Sequence, residues 1–277
     1  MTVRIVTDSS CDLPVEVAAE HGIEVVPLTV RFGSDEFVDR RDLTPAQFWA
    51  RAVASPVLPE TAAPSPGAFE EAFRKVASDD GVMCVTLSER LSGTGGAARA
   101  AAQALAGEVD VRVVDSRSVT LGLGMMAVAA ARMGAAGATL DEVVAATEDL
   151  VGRTQVHGAL DTLESLKKGG RIGGAQALLG SILSIKPIIE VRDGAVEPGA
   201  KQRTRSRALA YLAEKVATAK GVENLAVMHG AAPDVDALLE LLAPVYPRDK
   251  IVVGDLGAVV GSHTGPRTIG VTFQARG

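Results

Sequence analysis

The sequence predicts two α/β units: an N-terminal doubly wound domain on a mainly parallel sheet (residues 1–155) and a C-terminal α/β domain with a mixed sheet (156–277). Three observations carry that prediction. Short strand-like runs alternate with helical ones over the first 150 residues, the pattern of strands joined by crossover helices and covered on both faces. Beyond Gly152 two strand-like runs flank Arg192-Asp193-Gly194, and Asp-Gly between strands is a hairpin signal that requires antiparallel pairing. Of the 277 residues 47% are apolar but only 3% aromatic, so the cores are Ala, Val and Leu packed against many glycines, as in α/β layers.

The elements follow in order. A strand over 4–7 leads to Pro14, whose fixed φ suits the first turn of a helix over 14–20. Residues 23–30 read as the second strand. Helices near 45–53 and 66–77 each open on a proline; a largely apolar strand at 82–87, an Ala-rich helix at 93–105, a strand at 111–115 and helices through residue 150 complete the unit. Between 56 and 66, four prolines in eleven residues predict a connection without regular structure. In the second unit the hairpin pairs 186–191 with 195–201. Helix 206–218, strand 224–229, helix 234–242 and strands 251–253 and 269–273 follow.

Composition removes several classes of function. A net charge of −6 and a pI near 5.3 argue against nucleic acid as a partner, because such proteins gain affinity by neutralising phosphates. Cys11 and Cys84 show no CxxC or His-rich spacing, so neither a disulfide framework nor a zinc site is expected. Met1 runs directly into an alternating strand, without the basic and apolar regions of a signal peptide, and a reducing cytoplasm fits. Residues 119–139 are rich in Gly and Ala and contain Arg132, which predicts a buried helix and no stable membrane insertion. Within them, Gly122-Leu123-Gly124-Met125-Met126-Ala127 resembles a dinucleotide fingerprint only superficially. It falls inside the helix, not in a first βα turn, so no cofactor is expected; close helix packing or room for a ligand tail explains the glycines.

Candidate functional residues cluster in four places. Asp8, Ser9 and Ser10 stand at the carboxyl end of the first strand, where ligands of open α/β sheets bind. Asp8 also suits metal or phosphoryl chemistry, while Asp12 reads as a helix N-cap. Ser92 lies at or next to the start of a helix, with Gly93 and Thr94 behind it; free N–H groups and the positive end of the macrodipole suit a carboxylate or phosphate there, although an ordinary N-cap serine satisfies the same pattern. His263 lies in a Gly/Pro-bounded turn before the last strand, a setting for charge-assisted anion binding or for a plain structural turn. Lys167-Lys168-Gly169-Gly170-Arg171 places three positive charges on a Gly-rich bend, either solvated or a docking patch. Ser92 and His263 also suggest a serine hydrolase, but neither a third member nor a G-x-S-x-G elbow is present.

Taken together, Asp8-Ser9-Ser10-Cys11-Asp12-Leu13, Thr61…Pro64-Ser65-Pro66, Leu91-Ser92-Gly93-Thr94, Asp115-Ser116, Gly170-Arg171-Ile172 and His263-Thr264-Gly265-Pro266 occur in the order of a known family. The chain resembles the DegV family, whose members include the FakB-type fatty-acid-binding subunits of bacterial fatty acid kinase. The resemblance implies two α/β domains with an acyl tunnel between them, and a carrier that presents a long-chain fatty acid to an ATP-dependent kinase subunit for conversion to an acyl phosphate. It implies further that Thr61 and Ser92 hydrogen-bond the carboxylate, that His263 sits beside it and that Arg171 faces the kinase. Ser9, Gly93, Thr94, Ser116 and Thr264 fall in the motifs around them. The chain departs from the family pattern at Arg267, where Gly is usual, and at Ala62-Ala63, where polar residues are usual. The alternative reading is an enzyme, a serine hydrolase on Ser92 and His263 or a phosphotransferase on Asp8.

Overall fold

In the computed structural model, which describes residues 2–55, 57–179 and 185–276, β1 (Arg4–Asp8) runs through the middle of a four-stranded sheet. A 3-10 turn at Ser9–Cys11 and α1 (Val15–Glu20) return the chain to β2 (Glu24–Val26), parallel to β1. The ladder stops there because Pro27 has no N–H to donate and Leu28 N is taken by Ser9 Oγ at 3.1 Å. The single strand expected over 23–30 is therefore two strands in two sheets. β3 (Thr29–Phe32) pairs antiparallel with β4 (Asp35–Val38) and, after α2 (Pro45–Ala54), with β5 (Glu60–Ala62).

β5 corrects the expectation of an irregular connection. Pro59 and Pro64 bracket residues whose N–H groups remain free to pair along the edge of β3, and Thr61 lies opposite Val30. Pro56 lies outside the described residues. Helix starts follow local chemistry: Thr44 and Gln47 form a capping box on α2, and Ser65 caps α3 (Pro66–Val76), each helix having proline in its first turn. β6 (Val82–Thr86), α4 (Thr94–Ala104) and β7 (Val111–Asp115) complete the parallel order β2-β1-β6-β7.

α5 (Leu121–Ala135) is buried along most of its length, and α6 (Leu140–Arg153) covers it. A Cβ at Gly124 would stand 2.6 Å from the Cys11 carbonyl oxygen, so the glycines of α5 serve close packing of the helix on the sheet. Among the described residues no helix is long and apolar enough to cross a membrane.

β8 (Thr154–Ala159) opens the second sheet, followed by α7 (Glu164–Lys168), β9 (Lys186–Arg192), β10 (Ala195–Gln202), α8 (Arg205–Thr218) and β11 (Glu223–His229). α9 (Val235–Leu242), β12 (Val252–Asp255), α10 (Ala258–Thr264) and β13 (Ile269–Gln274) complete the chain. The strand order is β10-β9-β8-β13-β11-β12, antiparallel except between β11 and β12. Asp193 (φ 50°) and Gly194 (φ 78°) make the expected hairpin turn with both residues left-handed. Its tip docks on the loop after β6, where Ser88 Oγ donates to the Gly194 carbonyl at 2.6 Å.

One apolar core runs from the first sheet across α5 to the inner face of the second, uniting Ile5, Val85, Leu121, Met228 and Val259. Trp49 of α2 joins it and donates its indole N–H to the Leu256 carbonyl at 3.0 Å. The outer face of the second sheet packs on α8 and α9 around Leu212, Leu238 and Phe273. The inner face is only partly covered, and the pocket lies there.

Candidate ligand pocket

Loops leaving the carboxyl ends of β6 and β7 project towards the inner face of the second sheet, the place where open α/β sheets bind ligands. They supply Leu87, Leu91 and Val119 to a cavity of about 220 Å³, and the strands opposite supply Val156 and Ile189, with Leu160 just past β8. That volume exceeds the roughly 150 Å³ of an apolar cavity able to hold benzene. Strand register explains the trough. Ile189, Gly158, Gly270 and Met228 stand side by side on β9, β8, β13 and β11, so two adjacent glycines leave bare backbone between two large side chains. α10 closes the top with Val259 and Val260.

At one end the lining turns polar. Thr61 from β5, Ser92 and Gly93 before α4, Arg171 after α7, and His263 and Thr264 on α10 all border the cavity. His263 Nε2 lies 3.0 Å from Thr61 Oγ1, across 202 residues of sequence. The structure places His263 in the last turn of a helix, not in the expected turn; Gly257 precedes α10, and Gly265 (φ 78°) followed by Pro266 ends it. Arg171 is exposed at the rim, its Nε donating to the Leu91 carbonyl at 3.1 Å and its Nη1 to the Gly169 carbonyl at 2.7 Å.

Burial pushes the His263 imidazole down from 6.5 to about 4, and the Arg171 charge adds to the depression. With its pKa held there, the imidazole is neutral at pH 7. Its Nδ1 is buried without a partner, against the Cα of Gly169. A buried orphan N–H is rarer than an orphan acceptor, which assigns the proton to Nε2. Nε2–H then donates to Thr61 Oγ1 and leaves the threonine O–H free to donate into the pocket.

Ser92 stands one residue before the Gly93 N-cap of α4. Its Oγ is 2.9 Å from Thr94 Oγ1 and accepts from Thr94 N at 3.4 Å, so its hydroxyl and the positive end of an eleven-residue helix face the same region. Thr264 borders the cavity while its hydroxyl donates back to the Val260 carbonyl at 3.1 Å. The polar end thus offers hydroxyl donors, a helix terminus and one peripheral cation, a set suited to a carboxylate. Triad geometry is missing: Ser92 pairs with Thr94, His263 with Thr61, and no carboxylate backs the imidazole among the described residues.

Other candidates lie elsewhere. Asp8 is fully buried, accepts from Ser10 N at 3.0 Å and Leu87 N at 2.8 Å, and burial raises it from 3.8 to about 6. It ties β1 to the loop after β6 and does not line the pocket. Ser9 holds Leu28 N, and Ser116 shapes the loop before α5 by donating to the Ser118 carbonyl at 3.2 Å; both are buried away from the pocket wall. Thr94 is buried and reaches the site only through Ser92. Asp12 does not cap α1, which begins after Pro14 without a side-chain cap; its carboxylate accepts from Gly257 N at 2.9 Å and from Arg40 at 3.2 Å, bracing the start of α10. Sequence reading missed the Gly158–Gly270 trough, and it placed Gly169 in a basic Gly-rich bend without the close packing of that glycine against His263. Isolated glycines within strand patterns mark close backbone approach and were the available signal.

A mostly apolar cavity with polar groups gathered at one end, set between a parallel and a mixed sheet, defines an α/β protein with a pocket shaped for an amphipathic ligand. The profile of the family described as "Uncharacterised protein, DegV family" matches residues 2–276, and the chain belongs to that family. It is 40% identical over 280 residues to a DegV domain-containing protein of Streptomyces coelicolor, covering 99% of each chain. A DegV domain-containing protein of Deinococcus radiodurans is 38% identical over 282 residues, again covering 99% of each. Among solved structures it is similar to a DegV family protein of Thermus thermophilus described by its fatty acid binding, with TM-score 0.91, 35% identity and full coverage of both chains. DegV of Bacillus subtilis, described as a fatty acid binding protein, superposes at TM-score 0.87 with 28% identity over 100% of both chains. A stearic-acid-binding protein of Eubacterium ventriosum does so at 0.85 with 26% identity, covering 99% and 98%.

Proposed function

We propose that this chain binds one long-chain fatty acid, with the tail over the Gly158–Gly270 trough and the carboxylate among Thr61, Ser92 and His263. The cavity that is apolar along its length and meets these three side chains at one end carries the reading. The fatty-acid-binding descriptions of its solved relatives support it. Tail burial contributes roughly 0.8 kcal/mol per methylene, while hydroxyl donors and the α4 terminus offset the desolvation of the carboxylate.

The finer reading is that the chain is a cytoplasmic carrier, not the catalyst, and presents the carboxylate to an ATP-dependent kinase subunit that makes the acyl phosphate. Exposed Arg171, bordering both the pocket and the surface cavity beside it, is the natural contact for such a partner. On this reading the chain divides near residue 155 and the acyl site lies between the two domains.

Organic extraction of the purified protein followed by mass spectrometry tests the ligand. One long-chain fatty acid per chain is expected; a lipid-free extract from protein that also ignores added oleate and palmitate would overturn the reading. Transfer of labelled phosphate from ATP to bound acyl chain, seen only with a kinase subunit added, tests the carrier role. Transfer by the chain alone would make it an enzyme.

A further inference from the structure

Behind the pocket lies a second cavity, a groove of about 740 Å³ bounded by β7, α6 and the β8–β9 side of the second sheet. Asp115, Arg117, Glu148 and Arg192 give it a polar wall. The two cavities share Val156, Glu190 and Val191. Val156 and Val191 are cross-strand partners on β8 and β9, so one layer of side chains separates the apolar pocket from the groove. The opposite end of the pocket shares Thr61, Arg171 and His263 with a surface cavity of about 550 Å³. Neighbouring cavities thereby mark a polar end and a far end, and between them the pocket is lined by Val156 and Gly158 of β8 and by Leu160 just beyond the strand.

We propose that the Val156–Val191 pair is the stop that sets the longest acyl tail the pocket accepts, and that shortening the pair admits longer chains toward the groove. The proposal rests on the fatty-acid reading and adds the residues that determine chain length. Val156 cannot swing aside. A Cβ at Gly122 would stand 2.6 Å from its Cγ2, which shows how closely α5 presses on it, and β-branched side chains have little χ1 freedom. Val191 packs against the same core. A tail reaching past the pair meets a polar groove and gains little, so affinity rises with chain length only up to the valines.

Binding of saturated fatty acids of increasing length to Val156→Ala/Val191→Ala, to Val191→Ala alone and to Val191→Phe decides the matter, read by displacement of a fluorescent fatty acid. Each methylene newly accommodated strengthens binding by about fourfold, so the double alanine variant should shift the optimum by about two carbons and favour the longer chain by roughly fifteenfold. Val191→Phe should shift it the other way. Val191 is partly exposed, so its single variants keep the test available if the double variant fails to fold. Unchanged length profiles in folded variants, with the parent binding fatty acid normally, would overturn the stop alone. No binding by the parent would overturn the fatty-acid reading itself.

Discussion

Gly158→Val separates ligand binding from stability more cleanly than any other single change in the pocket. A Cβ at Gly158 meets Ile189 Cγ1 and Leu160 Cδ1 at 3.6 Å each, ordinary van der Waals distance and contacts with side chains alone, so the Cβ itself meets no backbone. The valine side chain would project into the trough and displace a length of tail comparable to its own three carbons. At roughly 0.8 kcal/mol per buried methylene the loss is about 2.4 kcal/mol, near sixtyfold in affinity. Stability should hold or rise by about 0.5–1 kcal/mol, because glycine is a poor strand residue. Gly270→Val is the contrast: its Cβ would stand 2.5 Å from the His157 carbonyl oxygen, so it should unfold at lower temperature whatever its effect on ligand. Displacement of a fluorescent fatty acid and thermal melts of both variants give the answer. If Gly158→Val binds as tightly as the parent at an unchanged melting temperature, the tail does not cross this trough.

Three further outcomes follow from the polar end. Ser92→Ala and Thr61→Ala should each weaken carboxylate binding by about 1.5–3 kcal/mol, the worth of a hydrogen bond to a charged group, with melting temperatures little changed; calorimetric titration with palmitate checks both. Gly169→Ala, whose Cβ would stand 2.4 Å from His263 Nδ1 and 3.0 Å from the Ser165 carbonyl oxygen, should disturb binding chiefly by shifting that ring, so a double-mutant cycle with His263→Ala should show most of the effect of the alanine at 169 lost once the imidazole is gone. Because His263 falls to about 4 on folding from 6.5, the unfolded chain takes up the proton first and stability is lost as pH falls from 6.5 towards 4; His263→Gln should gain on the parent by about 1.4 kcal/mol per pH unit across that window in urea titrations.

How far the sequence revealed the fold depended on whether local chemistry agreed with tertiary pairing. Elements opened by proline and capped by serine or threonine, such as α2 and α3, stand within a residue or two of their expected places, and Asp193-Gly194 turned the hairpin as its composition required. Long-range pairing overrode local signals elsewhere. β5 exists because β3 offers an edge, and nothing within residues 56–66 records that edge. α10 has only seven residues bounded by glycines, too short for a helical period to show, so His263 read as a turn. At the site, Ser92 was legible from its helix start. The Thr61–His263 contact spans 202 residues, and a single sequence holds no trace of it apart from the family resemblance.

The neutral state of His263 changes how the polar end must work. A cationic imidazole would hold an anion chiefly by charge, and buried in this wall it would be costly in the ligand's absence. The structure instead leaves the permanent charge on Arg171 at the exposed rim and turns the imidazole into a director of hydrogen bonds. By filling one lone pair of Thr61 Oγ1, His263 fixes the direction in which the threonine proton points. Gly169 holds the ring in place at the cost of an unsatisfied Nδ1. On the proposed reading the tail supplies the affinity, and the hydroxyl donors at the polar end set which way the acid lies.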